Sequence, residues 1–339
     1  MSTLSICMIV KDEEPVLDRC LCCAEKIADE LIVVDTGSTD ASVEIARRHT
    51  DKVFLHPWQN SFCEARNYAA SLASCDYVMW LDADDVISEE NIVKIRTLMQ
   101  DLDPKTDVVF TMYRSGKPGT AGFGLRDRII RREYSAQWVN DVHEGIIING
   151  RMKRLYRGDI EILHMKEKVN DPDRNLKIFL DKVKDGKPFN VVELAYFCRE
   201  LCQHDDHKDC LMVFDLYKQN TRHPQFYYYA LVFAVRSMIM TGQYERCAAE
   251  IIEAFDSVPV TAYMLYHLAL CYEKQGKDEL ARETYLKALG KTDSPLLMVI
   301  RFEHYDDYYP CKALQRLAEK AGDAQEAKMW KMRAEDCYI

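Results

Sequence analysis

Through the first 85 residues, short apolar runs alternate with segments of helical spacing, and this alternation decides the fold class. Leu4 to Val10 reads as a strand buried on both faces. Val16 to Ala28 has helical spacing, and Leu31 to Val34 is a second buried strand. That strand ends in Asp35-Thr36-Gly37-Ser38-Thr39-Asp40, a turn with capping residues for a helix over Ala41 to His49. Val53 to Leu55 is a short strand, Phe62 to Ala73 a helix, and Tyr77 to Leu81 a strand running into Asp82-Ala83-Asp84-Asp85. Such alternation implies right-handed β-α-β units and an α/β domain with a mainly parallel sheet. Ligands of these sheets bind beyond the carboxyl ends of the strands. Lys11-Asp12-Glu13, Asp35 and the Asp82–Asp85 cluster therefore belong on one rim.

From about residue 190 the pattern is almost entirely helical. Gly242 and Gly276 lie 34 residues apart, and aligning on them pairs Leu231 with Leu265, Cys247 with Ala281, Ile251 with Tyr285 and Ala254 with Ala288. A 34-residue period with small residues at fixed positions is the tetratricopeptide pattern. A weaker pair precedes it (Leu194, Phe197, Cys198, Leu201, then Cys210 and Phe214) and another follows (Leu314, Ala318, Gly322, Ala327, Ala334). The expected division is an α/β domain over 1–170, a linker or helix over 171–189, and helical repeats over 190–339. Such repeats offer a concave surface for a peptide or protein. They serve equally well as a brace for the first domain or as a homodimer contact.

Composition narrows the setting. A net charge of −10 excludes a broadly basic footprint for nucleic acid or anionic membrane. The run Ile6 to Val10 is too short for a secretory signal. Phe226 to Met240, interrupted by Arg236, is too short to span a bilayer. The expectation is a cytoplasmic chain whose 13 cysteines are reduced. No CxxC pair stands with a second CxxC or an HxxxH, so a structural zinc site is not expected. Cys20, Cys22 and Cys23 read as packing or surface thiols within a helix.

The sharpest chemical signal is Asp82-Ala83-Asp84-Asp85 after a buried strand. Three carboxylates in four residues repel one another unless solvated or countered by a cation. Hard divalent ions prefer such oxygens and often bridge them to phosphates. The plain alternative makes Asp85 the N-cap of the next helix. Four segments occur in order: Ser5 to Glu14, Ile32 to Asp40, Ala65-Arg66-Asn67, and Trp80 to Asp85. As an ordered set they resemble the family 2 glycosyltransferases of GT-A fold, over about the first 165 residues. Fusion to helical repeats also resembles the bacteriocin peptide S-glycosyltransferases, on architecture more than on residues.

The resemblance implies inverting transfer of a sugar from a nucleotide diphosphate donor, expected to be a UDP-sugar, with Mn²⁺ or Mg²⁺. By that resemblance, Val10 and Lys11 line the nucleotide with Glu13 nearby. Asp35 accepts hydrogen bonds from the uracil or ribose, or else is a turn residue. Arg66 contacts the nucleotide or its phosphates, makes an internal ion pair to a rim carboxylate, or does both. Asp82 faces the ribose and Asp84 ligates the metal. His164, in Ile162-Leu163-His164-Met165, is a candidate third ligand, although a lone His on an apolar strand is commonly structural.

Inversion needs a general base on the acceptor. Glu144 is the first choice, with Asp141 and His143 behind it, all within Trp138 to Gly145. Ser115 to Gly124 is Gly-rich and reads as a flap or a plain hairpin loop. Arg126, Arg128, Arg131 and Arg132 read as strand residues, some near the acceptor or diphosphate. The acceptor is expected to be a polypeptide or a glycan. The rival function is a non-catalytic scaffold, a degenerate transferase domain carrying a peptide-binding repeat surface. The complete Asp82-Ala83-Asp84 argues against it.

Overall fold

A computed structural model describes residues 2–115, 122–148, 150–165, 171–220, 224–291 and 304–337. The chain divides into two compact units, Met1–Ile178 and Phe179–Ile339.

The first unit is built in the order β1 (Leu4–Val10), α1 (Glu14–Ala24), β2 (Glu30–Asp35), α2 (Ser42–His49), β3 (Val53–Leu55), α3 (Phe62–Ser71), β4 (Tyr77–Leu81), β5 (Asp85–Val86), α4 (Glu89–Asp101), β6 (Val108–Ser115), β7 (Gly122–Arg131), α5 (Arg132–Ser135), β8 (Trp138–Val139), β9 (Gly145–Ile146) and β10 (Arg154–His164). One sheet has the order β3-β2-β1-β4-β7-β6-β10-β5, and β8 pairs with β9 separately. Strands β3, β2, β1 and β4 run parallel. Strand β7 is antiparallel to both neighbours, β4 and β6.

Alternate residues of the apolar runs go to opposite faces. Ile6, Met8 and Val33 join a core with residues of α1, α2 and α4. Cys7, Ile32 and Val34 pack with Ala69 and Ala73 on the other face. Burial on both faces is why these strands read as unbroken apolar runs.

Three local details differ from the expectation. Helix α1 starts at Glu14, with a proline in its first turn, and stops at Ala24 rather than Ala28. Proline there has a preset φ and lacks only an N–H that would have no helical partner. Arg132 leaves the strand and opens α5. Ser88, not Asp85, caps α4, accepting from the Asn91 N–H.

Helix α6 (Arg174–Lys184) spans the division between the units. Beyond it lie α7 (Val191–Gln203), α8 (His207–Lys218), α9 (Pro224–Met240), α10 (Tyr244–Ala254), α11 (Ala262–Lys274), α12 (Asp278–Ala288), α13 (Tyr308–Ala321) and α14 (Ala324–Asp336). These form helical hairpins. Gly242, Gly276 and Gly322 occupy the turns at φ of 71°, 75° and 78°. An L side chain there would meet its own backbone. In the α7–α8 turn Asp205 takes that conformation, at φ 59°. The missing glycine explains why the first repeat is weak in sequence. All 13 cysteines are free thiols. Among the described residues, no helix is long and apolar enough to cross a membrane.

Candidate active site

The carboxyl ends of β1 and β4 open onto a cleft of about 550 Å³ in the first unit. Val10, Lys11, Glu13, Arg66, Asp82, Asp84, His143, Glu144 and His164 all line it. Two turns build one end of it. The Asp12 N–H donates to Ser38 Oγ at 2.9 Å, and the Thr39 N–H donates to Asp12 Oδ1 at 2.6 Å. The Glu13 N–H donates to Ser42 Oγ at 2.8 Å. The loops after β1 and β2 are thus tied to each other, which fixes the backbone that a ligand would meet.

Asp35 makes the contacts of a turn residue. It is buried, and its carboxylate accepts from the Gly37 N–H at 3.0 Å and the Ser38 N–H at 3.1 Å. Its neighbour Thr36 lines the cleft. Gly37, at φ 111°, allows the turn.

Arg66 makes the internal ion pair, and makes it twice. Nη2 donates to Asp82 Oδ1 at 2.7 Å and Nε to Glu144 Oε1 at 2.8 Å. The guanidinium lies 4.8 Å from the Trp80 ring centre and 4.9 Å from that of Trp138. Burial opposes its charge, but Asp82 and Glu144 outweigh burial and push its pKa up. Asp82 is the converse. Burial works to raise it, and Arg66, followed by Arg128, holds its carboxyl below the ordinary range.

Asn67, the next residue on α3, pins the β8–β9 hairpin. Its side chain donates to the Trp138 carbonyl at 3.0 Å and accepts from the Trp138 N–H at 2.8 Å. Asp141, His143 and Glu144 stand on the loop of that hairpin. Asn140 and His143 there have φ of 72° and 55°. Left-handed backbone is uncommon for a histidine, and such strain concentrates at ligand sites. The three base candidates separate in space. Glu144 and His143 line the cleft, whereas Asp141 Oδ1 accepts from Cys63 Sγ at 3.8 Å and lies outside the lining.

The acidic cluster and His164 meet because β5 pairs antiparallel with the end of β10, aligning Asp85 with His164. His164 Nδ1 lies 3.1 Å from Asp84 Oδ1 and 3.2 Å from Asp85 Oδ1. Burial lowers His164, but hydrogen bonds to Asp84 and then Asp85 prevail, and it is pushed up to about 10. Asp85 is fully buried. Its Oδ2 accepts from the Asp82 N–H at 3.0 Å and from Arg128 Nη1 at 2.9 Å. Arg128 is itself wholly buried, 3.6 Å from the Trp80 ring centre. Its Nε and Nη2 have no hydrogen-bond partner. It therefore acts beneath the site, neutralising Asp85, and not on a diphosphate. Arg131 pairs with Asp107 at 3.0 Å, also outside the cleft.

Asp82, Asp85 and His164 offer ligand atoms within 4.8 Å of one another, with Asp84 beside His164. Three carboxylates and an imidazole suit a hard divalent cation. Such a cation would compete with the His164 proton.

The remaining wall was not foreseen. Trp58 and Phe62 meet edge to face at 4.7 Å, and the Arg174 guanidinium lies 4.8 Å from the Phe62 ring centre. These three, with Asp171 and Asn175, also line the cleft. Trp58 falls in a stretch without periodicity and Phe62 reads only as the first residue of a helix, so nothing in one sequence marks them as cleft residues. Within the Gly-rich segment, residues 116–121 lie outside the described residues.

Residues 5–161 match the family described as "Glycosyl transferase family 2". A TPR repeat-containing protein of Synechococcus elongatus is 34% identical over 145 residues, 42% of this chain and 35% of its own length. The prophage-derived glycosyltransferase SunS of Bacillus subtilis is 31% identical over 145 residues, covering 42% and 34%. An uncharacterized glycosyltransferase of Rickettsia typhi is 37% identical over 90 residues, covering 26% and 30%. Each match thus spans about a third of the relative's length. The first unit thus carries a segment, residues 5–161, that is similar to the family 2 glycosyltransferases, and helical hairpins follow it in the second unit.

Proposed function

We propose that the chain transfers a sugar, with inversion, from a nucleotide diphosphate donor (a UDP-sugar) to a polypeptide or glycan acceptor. The observation that carries this reading is the cleft itself. Residues of the family-matched segment bring an acidic cluster, a buried arginine and a strained acidic loop to one set of strand ends. Val10, Lys11 and Glu13 would receive the nucleotide, with Thr36 beside them. Asp84 and His164, flanked by Asp82 and Asp85, would hold Mn²⁺ or Mg²⁺. When bound, that ion supplies positive charge against the diphosphate as negative charge builds on the leaving group. Arg66 holds Asp82 and Glu144 in fixed positions across the cleft floor.

Glu144 is the proposed base, taking the acceptor proton as the sugar carbon is attacked. His143 is the second choice because it shares the cleft. A thiol acceptor would need less help, since thiols ionise more readily than hydroxyls. The acceptor would be presented by the repeats, and catalysis in the cytoplasm is part of the same reading. The test is calorimetry of UDP with and without EDTA, on the full chain and on Asp84→Ala. The expected result is tight binding only with Mn²⁺ or Mg²⁺, and no metal dependence in the variant. Equal affinity under all conditions would remove the metal from the proposal.

A further inference from the structure

A second set of ligating side chains stands away from the cleft, on the outer surfaces of α1 and α2. Asp18, Cys22 and Glu25 are spaced at i, i+4 and i+7, which puts them on one helical face. His49, the last residue of α2, reaches across to that face. One ligand atom each from Asp18, Cys22 and His49 lies within 4.8 Å of the others. His49 Nε2 is 3.0 Å from Asp18 Oδ1, and His49 Nδ1 is 2.9 Å from Glu25 Oε1. Cys22 is exposed and open to an entering ion. None of these four residues lines the donor cleft.

We propose that Asp18, Cys22 and His49, with Glu25 behind the imidazole, form a binding site for a thiophilic divalent cation of the Zn²⁺ class. The donor set decides the class. A thiolate, an imidazole and a carboxylate suit a borderline-soft, four-coordinate ion, whereas Mg²⁺ and Mn²⁺ favour oxygen alone. Ligands around tetrahedral zinc sit about 3.3 to 3.8 Å apart, so small side-chain rotations close this set. Glu25 supplies what ligating histidines commonly have, a carboxylate on the other ring nitrogen that fixes the tautomer and ring direction. With Nδ1–H held by Glu25, Nε2 is the atom presented to Asp18 and Cys22. Water completes the fourth position.

Lys26 acts on Cys22 as a second nearby cation, and Arg48 opposes the site directly, with Nη2 on Asp18 Oδ1 at 2.8 Å. It competes for the same oxygen and repels an entering cation. The site would clip α1 to α2, the two helices that follow the hydrogen-bonded turns of the cleft.

The test uses the full chain, kept reduced, with excess Mg²⁺ present to occupy the acidic cleft. Co²⁺ is the probe, because ligation by a thiolate gives an intense near-ultraviolet charge-transfer band that oxygen ligands do not give. The expected result is one equivalent bound with that band, displaced by one equivalent of Zn²⁺. Cys22→Ser should abolish the band, and because Cys22 is exposed the fold should survive, as circular dichroism would check. His49→Ala should weaken binding at least ~100-fold and Glu25→Gln about 10-fold. Arg48→Ala should tighten it, and Asp84→Ala should leave it unchanged. A band that persists in Cys22→Ser, or is absent from the wild-type chain, would overturn the assignment. Equal Zn²⁺ affinity in wild type and His49→Ala would do the same.

Discussion

Replacing Arg66 by Met tests the electrostatic frame of the site. The side chain is 8% exposed and holds two carboxylates, Asp82 at 2.7 Å and Glu144 at 2.8 Å. Removing one partner from a buried ion pair costs roughly 3–5 kcal/mol, because the charge left behind has lost its compensation. Asp82 and Glu144 are 30% and 16% exposed, so water takes up part of that charge. The expected loss is therefore near the lower end, about 3 kcal/mol. The two cation–π contacts are largely replaced by sulfur–aromatic contacts of about 1 kcal/mol each and nearly cancel.

Urea unfolding followed by tryptophan fluorescence is the assay. Trp58, Trp80 and Trp138 all lie in the first unit, and the last two contact Arg66 itself. The loss should also depend on pH. In the native chain Asp82 is held below its ordinary 3.8, so its contribution is present above that value and fades as pH falls through the lower, folded value. In the variant burial is no longer countered by Arg66 and raises Asp82, so its protonation restores stability on the way down from pH 7. The gap between the two proteins should narrow toward pH 4. A loss under about 1 kcal/mol, or a gap that stays constant with pH, would refute the reasoning. In the Glu144→Gln background the same change should cost measurably less, by about 0.5–3 kcal/mol of coupling.

Glu144→Gln should keep UDP affinity and slow sugar transfer by at least ~10²-fold; a normal rate would shift the base to His143 or Asp141. In the second unit, His267 is buried and bonded to the Tyr263 carbonyl at 2.8 Å, and burial pushes it down from 6.5 to about 4. Its charging penalty should appear as pH falls from 6.5 to 4, reaching about 3 kcal/mol. His267→Gln should flatten that slope in calorimetric unfolding, and an unchanged slope would count against a neutral buried imidazole. Gly276→Ala forces an L side chain to φ 75° and should cost about 1–2 kcal/mol. Gly124→Ala, where φ is ordinary and a Cβ meets nothing within 4 Å, serves as its control in thermal unfolding.

Much of the site was legible because strand ends are predictable. Once Leu4–Val10 and Tyr77–Leu81 are strands of one parallel sheet, Lys11, Glu13, Asp82 and Asp84 must share a rim. What stayed hidden was how the charges pair. Arg128 reads as one of four arginines on a strand, yet only the β4–β7 pairing and the Trp80 ring bury it against Asp85. Asp35 had two readings, and its turn contacts depend on where the Gly37 and Ser38 N–H groups point, which no pattern in the sequence gives. Asn67 was visible within Ala65-Arg66-Asn67, but its hold on Trp138 spans 71 residues.

By itself the sequence determined the α/β unit, the helical repeats and the residues of the acidic rim. Each depends on local periodicity, on a strand's two faces or on a residue's own backbone preference, as at Gly242 and Gly276. Tertiary structure decided the partners. His164 reaches Asp84 and Asp85 through a strand pairing across 79 residues, and His49 reaches Asp18 by the packing of two helices. Contacts of that range carry no signal in a single chain's periodicity, because many sequences with the same pattern would pack the same elements around different charges.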